Sequence, residues 1–175
     1  MSKHDEPVIR AGRPADAGNL AALGMQVWLH TYATDGISSI ISRYVLDTFT
    51  AERFLALLAQ PSTAVLVAEV NSNLVGYAVV TFDAACPAAA GSTTELATLY
   101  VQEHFSGRGV GSSLLAQAAA LAARRCGTPL WLTVNAKNSR AIAFYRDRGY
   151  TKVGIARFRL GSEDHENHVL LGGNA

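Results

Sequence analysis

Residues 99–115 read Leu99-Tyr100-Val101-Gln102-Glu103-His104-Phe105-Ser106-Gly107-Arg108-Gly109-Val110-Gly111-Ser112-Ser113-Leu114-Leu115, and this stretch decides the fold. An apolar, β-branched run ends at Val101, a five-residue turn follows, and the glycines lead straight into an alanine- and leucine-rich helix. Leu114, Leu115, Ala118, Leu121 and Ala122 give that helix one apolar face. Arg124 and Arg125 stand at its negative end, before the stop signal of Gly127 and Pro129. The first amides of a helix have no intrahelical acceptor and lie at the positive end of its dipole. Glycines at that place remove the side chains that would keep an anion from the backbone, so the arrangement suits a phosphate. Arg108 adds a full positive charge.

A flexible loop that needs positive φ values is the structural alternative for a lone glycine-rich turn. A dinucleotide-binding loop fits poorly: its glycines would follow the strand directly, its third glycine would fall on Ser112, and Asn135 stands where an acidic residue is wanted. A Walker loop is excluded because no Gly-Lys-Ser/Thr follows.

Upstream, Val8 and Ile9 begin a strand, and Arg13-Pro14-Ala15-Asp16 provides helix-start chemistry for a helix with a stripe at Leu20, Leu23, Val27 and Trp28. A second helical stretch is predicted within 37–58, broken near Thr48 to Thr50. Strands at 64–70 and 74–82 flank the turn Asn71-Ser72-Asn73 and form a hairpin, and a further strand covers 94–101 after a loop over 84–92. Downstream, a strand at 130–134, a helix at 139–148 closed by Gly149, and strands at 150–159 and 168–171 complete the pattern.

The 175 residues are 49% hydrophobic and 17% charged, which suits a single domain over 1–175 with residues 1–6 flexible. Fifteen basic residues against fourteen acidic leave no electrostatic footprint for nucleic acid or an anionic membrane. The polar N-terminus is no secretory signal, and the longest apolar helix candidate is shorter than the roughly 20 residues a bilayer requires, so a cytoplasmic chain is expected. Cys86 and Cys126 lie in different segments and form no metal or redox motif. His165 and His168, with Glu163, Asp164 and Glu166, read as a solvated turn between the last two strands, and no metal is expected.

Three local matches resemble the GNAT superfamily of N-acetyltransferases. Leu99-Tyr100-Val101 resembles its fourth strand, and Gly107-Arg108-Gly109-Val110-Gly111 its pyrophosphate loop. Asn138-Ser139-Arg140-Ala141-Ile142-Ala143-Phe144-Tyr145 with Gly149-Tyr150 resembles its Asn-x-x-Ala-x-x-Phe-Tyr-x-x-x-Gly-Phe/Tyr segment. Ser106 departs from the motif, standing where Gln or Arg is usual, which puts contacts near the pyrophosphate in doubt.

The resemblance implies a mixed α/β fold, a mostly antiparallel twisted sheet of six to seven strands with about four helices, splayed between the fourth and fifth strands. It implies acetyl-coenzyme A as co-substrate, with Leu99, Tyr100, Val101, Gly107, Arg108, Gly109, Val110, Gly111, Ser112, Asn138 and Tyr145 as cofactor-binding positions. The Val101 amide would face the thioester carbonyl as an oxyanion-hole donor. Tyr145 falls at the general-acid position, and a phenol with a reference pKa of ~10 suits a departing thiolate. On spacing alone, Phe144 and Tyr145 are also aromatic core, and Asn138 is also a helix cap. Glu95 is the candidate base for the attacking ammonium, acting through water, with an ordinary strand residue as its alternative.

Neither cysteine has a base near it in sequence, so direct attack in a ternary complex is expected. The acceptor is a small-molecule or peptide amine, and 28–54 resembles the bacterial polyamine and diamine acetyltransferase branch, although Asp35, Asp47 and Glu52 are dispersed. Trp28, His30, Tyr32 and Asp35 are candidate pocket residues, and a homodimer is compatible with the family. The alternative from another class is an acyl-coenzyme A-binding sensor without turnover.

Overall fold

The computed structural model describes residues 6–173, so the expected flexibility of the N-terminus falls largely outside the described residues. The elements run β1 (Val8–Ala11), α1 (Ala17–Tyr32), α2 (Ser39–Thr48), α3 (Ala51–Ala59), β2 (Thr63–Val70), β3 (Asn73–Phe82) and β4 (Thr94–Val101). They continue with α4 (Val110–Cys126), β5 (Leu130–Asn135), α5 (Ser139–Arg146), β6 (Thr151–Leu160) and β7 (Glu163–Leu171). Seven strands form one open sheet in the order β1-β2-β3-β4-β5-β7-β6. The β1/β2, β5/β7 and β6/β7 pairs are antiparallel and β4/β5 is parallel, a mixed α/β architecture.

One expectation needs correction, the turn at 163–168. The helical stretch at 37–58 is broken where expected, into two helices, and the described residues hold five α-helices in all. Phe49 closes α2, and Thr50 starts α3 by accepting the Arg53 N–H at 3.2 Å, so the chain restarts instead of kinking. The acidic and histidine-rich segment 163–168 is no turn but the first part of β7, paired along β6 from Glu163 opposite Leu160. Gly161, at φ 61°, and Ser162 make the reversal, and the consecutive polar residues that suggested a loop form the more exposed part of β7 ahead of the buried Val169 and Leu170.

The chain divides into two compact units: Met1–Val79 with Thr98–Gln117, and Val80–Ala97 with Ala118–Ala175. In the first, Arg10 on β1 donates to both oxygens of Asp16, at 2.7 and 2.9 Å, and to Glu69 on β2. Asp16 also accepts the Arg13 N–H at 2.7 Å, so one carboxylate fixes the turn into α1 and neutralises a half-buried guanidinium. The Arg10 guanidinium holds the Asp16 and Glu69 carboxyls below the usual range.

Leu20, Leu23 and Trp28 of α1 are buried, as their spacing predicts. Gly24 lies between them because a Cβ there would come within 2.6 Å of the Phe49 ring and 2.7 Å of the Tyr77 phenol. Asn71 and Ser72, at φ 50° and 64°, form the two-residue turn joining β2 to β3.

In the second unit, Leu130, Leu132 and Val134 are the buried alternate positions of β5. On the other face, Trp131 packs with Cys86 and Val169. The Trp131 indole N–H donates to the Ala84 carbonyl at 2.8 Å, and Cys86 N–H donates to Ser92 O at 2.9 Å, so the loop over 84–93 is tied down. No helix among the described residues is long and apolar enough to cross a membrane.

Candidate active site

β4 ends with its alternation clearly oriented. Gln102 N–H donates to Val75 O on β3 at 2.9 Å, and the Tyr100 carbonyl lies so close to Gly76 that a Cβ there would meet it at 2.8 Å. Successive amides of an extended strand point to opposite sides, so the Val101 N–H faces away from β3. The Tyr100 ring packs edge-on against Tyr77, with centroids 5.6 Å apart, while Leu99 and Val101 are half-buried.

A short 3-10 turn at Glu103–Phe105 follows, and Ser106 N–H closes onto Glu103 O at 3.0 Å. The Ser106 hydroxyl lies 3.5 Å from the Glu103 carboxylate. Gly107 and Gly109 then take φ of +74° and +85°, values that L side chains rarely adopt. A Cβ at either would meet nothing within 4 Å, so their requirement is conformational and the space before them is open.

α4 starts immediately: Ser113 N–H donates to Gly109 O at 2.9 Å, which makes Gly109 the capping position, and glycine has no side chain to cap with. The amides of Val110 and Gly111 therefore stand in the first turn without an acceptor from the helix itself. Arg108, exposed, carries its guanidinium 5.4 Å over the Phe105 ring. Backbone donors, the positive end of a 17-residue helix and a cation in uncrowded surroundings fit a diphosphate. Ser112 is half-buried in the same first turn.

The remaining candidates belong to the second unit. The β4/β5 register pairs Thr94 with Leu130 and Glu95 with Trp131, the first two residues of each strand. Glu95 is half-buried, and burial pushes its carboxyl above the usual range, which makes it a stronger base than a solvated glutamate. Asn138 caps α5, its Oδ1 accepting the Ala141 N–H at 3.0 Å, while its own N–H donates to Asn135 O at 2.9 Å. Asn135 is a turn former, its side chain accepting the Lys137 N–H at 2.9 Å.

Tyr145 is buried near the end of α5, edge-on to Phe144 at 5.2 Å and to Tyr150 at 5.7 Å. Its carbonyl accepts from Arg148 N–H at 3.0 Å and Tyr150 N–H at 3.1 Å, and Gly149 at φ +82° allows that return. Burial pushes the neighbouring Tyr150 phenol up to about 12. The first unit thus gathers Leu99, Tyr100, Val101 and the loop from Gly107 to Ser112, and the second holds Glu95, Asn138 and Tyr145.

Residues 28–150 match the model of the acetyltransferase (GNAT) family. The chain belongs to that family. An uncharacterized N-acetyltransferase of Mycobacterium bovis is 29% identical over 156 residues, which cover 89% of this chain and 96% of the relative. Among solved structures, a PaiA N-acetyltransferase from Thermoplasma acidophilum in complex with coenzyme A has a TM-score of 0.77 at 20% identity, covering 95% of this chain and 98% of that one. A ribosomal-protein-alanine N-acetyltransferase from Brucella melitensis has a TM-score of 0.69 at 23% identity, with 94% and 98% covered.

As a GNAT enzyme the protein is an acyl-coenzyme A-dependent N-acetyltransferase, its co-substrate is acetyl-coenzyme A, and it acts on an amine. Sequence reading located the glycine loop and put the start of its helix at the glycines; the helix begins at Val110. The same reading missed the layer of rings in which Tyr100 sits, formed with Tyr77 and Phe49. The available signal was Gly24 one turn before Trp28, a small residue where α1 must let rings approach.

Proposed function

We propose that this GNAT enzyme transfers the acetyl group of acetyl-coenzyme A to a primary amine by direct attack in a ternary complex, and that residues 1–175 act as one acetyltransferase domain. The observation that carries the reading is the helix opening at Val110 behind two left-handed glycines with open space before them. The amides of Val110 and Gly111, the glycines and Arg108 hold the diphosphate, with Ser112 completing the first turn. A β4/β5 register covering only the first two residues of each strand supports the expectation that the strands part beyond Glu95, leaving Leu99 to Val101 to line the pantetheine arm.

Acetyl-coenzyme A supplies an acyl group activated as a thioester. The Val101 N–H, facing away from β3, receives the charge that develops on the carbonyl oxygen as the new N–C bond forms. Tyr145 gives its phenolic proton to the sulfur as the C–S bond breaks. Glu95, its basicity raised by burial, takes the proton of the attacking ammonium through water. The carboxamide nitrogen of Asn138 remains a donor for the cofactor arm while its oxygen caps α5.

Mixing the purified chain with acetyl-coenzyme A and a panel of primary amines, and following thiol release with mass detection of the product, tests the reading. Acetylation of at least one amine by +42 mass units is expected for loss of H and gain of an acetyl group. Coenzyme A binding without release on every amine would favour a sensor instead.

A further inference from the structure

The residue opposite Glu95 on β5 is Trp131. Partners in a parallel register send their side chains to the same face of the sheet, from strands about 4.8 Å apart, so the indole and the carboxyl start as immediate neighbours. The β5/β7 register continues that row to Leu171, which makes the carboxyl its one polar member. Trp131 is 7% exposed and packs with Cys86 and Val169.

The ring is also held at its far end. Its N–H donates to the Ala84 carbonyl at 2.8 Å, and the Ala84 N–H donates in turn to Thr93 O at 2.9 Å, two residues before Glu95. The Ser92 hydroxyl donates to the Pro129 carbonyl at 2.7 Å, tying the residues just ahead of β4 to those just ahead of β5. The indole is thus fixed both by its own strand and by the loop that leads into β4. Glu95 cannot move away from it without breaking one of these bonds.

Burial is the one cause that raises the Glu95 carboxyl. The titratable groups that the surrounding elements bring to this region are Asp83 and Cys86 of the loop and Arg125 of α4, whose guanidinium lies 3.9 Å over the Phe82 ring. His165 is six residues before Leu171 on the same face of β7. None of the four enters the shift.

We infer that Trp131 is a positioning residue for the reaction: its indole, pinned by Ala84, walls the Glu95 carboxyl from water and holds it in place on β4. This rests on the acetyl-transfer reading above, in which Glu95 is the base, and names the side chain that prepares it. A carboxylate shielded on one side by an indole binds a proton more tightly, and so takes one from an ammonium more readily.

The full chain labelled with 13C at the glutamate side-chain carboxyls is titrated by NMR, the Glu95 signal being assigned from its loss in Glu95→Gln. In Trp131→Ala the Glu95 midpoint should fall toward the ordinary 4.5, and in Trp131→Phe, which keeps a ring, most of the elevation should remain. Where a thermal melt shows Trp131→Ala unfolded, Trp131→Leu replaces it, since leucine stays apolar but cannot reach Ala84, and the same fall is expected. With an amine that the wild-type chain acetylates, the acid limb of the kcat/KM profile should move down with the midpoint, and kcat near neutral pH should drop roughly tenfold. A midpoint unmoved in a folded Ala or Leu variant, or lowered equally in Trp131→Phe, overturns the inference while leaving acetyl transfer intact. An acid limb that stays while the midpoint falls overturns it together with the role of Glu95. The titration needs no acceptor, so silence of the wild-type chain on every amine is a separate result, which removes the acetyl-transfer reading and with it any reaction for Trp131 to serve.

Discussion

Helices α4 and α5 each follow a strand through a turn, but their N-termini are built in opposite ways. α5 is closed by its own sequence: Asn138 accepts the Ala141 N–H at 3.0 Å, and the turn before it is fastened by Asn135. α4 begins at Gly109, which has no side chain to offer, and its approach passes through two glycines at positive φ with nothing crowding them. A cap is worth about 1 kcal/mol to a helix, so forgoing one at the start of a 17-residue element is a cost that packing must offset. Val110, Leu114 and Leu115, all nearly inaccessible, supply that packing. The contrast fits the proposed roles: a helix start without a capping side chain suits an anionic ligand, while the start of α5 is closed by Asn138.

Substitutions at the two helix starts should therefore differ most in ligand affinity. Gly109→Asp places a carboxylate and a Cβ where the diphosphate is to lie, and should weaken coenzyme A binding by at least about 100-fold in a calorimetric titration. Asn138→Asp keeps a capping oxygen at α5 and should leave the melting temperature nearly unchanged. Equal losses of affinity in the two variants would erase the distinction.

Tyr145→Phe should lower kcat by roughly 10²-fold with the KM for acetyl-coenzyme A within about twofold, because only the proton is removed. Steady-state kinetics with both substrates varied checks this, and an unimpaired kcat would reduce Tyr145 to core packing beside Phe144 and Tyr150.

Glu95→Gln should cost less, roughly tenfold near neutral pH, because water can partly replace the base. The pH profile is more telling. Burial raises the Glu95 pKa from an ordinary 4.5, so its carboxylate form is lost at a higher pH than for a solvated glutamate. Activity should rise with pH through that raised value, and this acid limb should vanish in Glu95→Gln. Persistence of the same limb would assign it to another group.

The smallest effect is at the cap itself. Asn138→Ala should destabilise the fold by about 1 kcal/mol in a denaturant titration while lowering coenzyme A affinity only a few-fold. A stability loss near zero would mean that the cap is replaceable.

Legibility in the sequence followed the same division. Gly107, Gly109 and the Leu114-Leu115 stripe are local signals, because glycine at positive φ and helical spacing are properties of neighbouring residues, and they placed the loop and α4 correctly. The hairpin at Asn71-Ser72 and the strand ending at Val101 were readable for the same reason. β7 was not: Glu163 to His168 look like a solvated turn, and only pairing with Thr151–Leu160 makes them a strand. The break between α2 and α3 was visible but its sharpness was not, since it depends on Thr50 capping a new helix. The ring layer around Tyr100 was hidden because Trp28, Tyr44, Phe49 and Tyr77 meet only through tertiary packing.

The claim on which the mechanism rests is that the first amides of α4 bind the diphosphate. Amide proton and nitrogen shifts followed during titration with coenzyme A test it residue by residue. The account predicts that the signals of Gly109, Val110 and Gly111 move the furthest and saturate together, while Ala141, whose N–H is already held by Asn138, moves little. Saturable coenzyme A binding that leaves the Gly109 to Gly111 amides unmoved would contradict it.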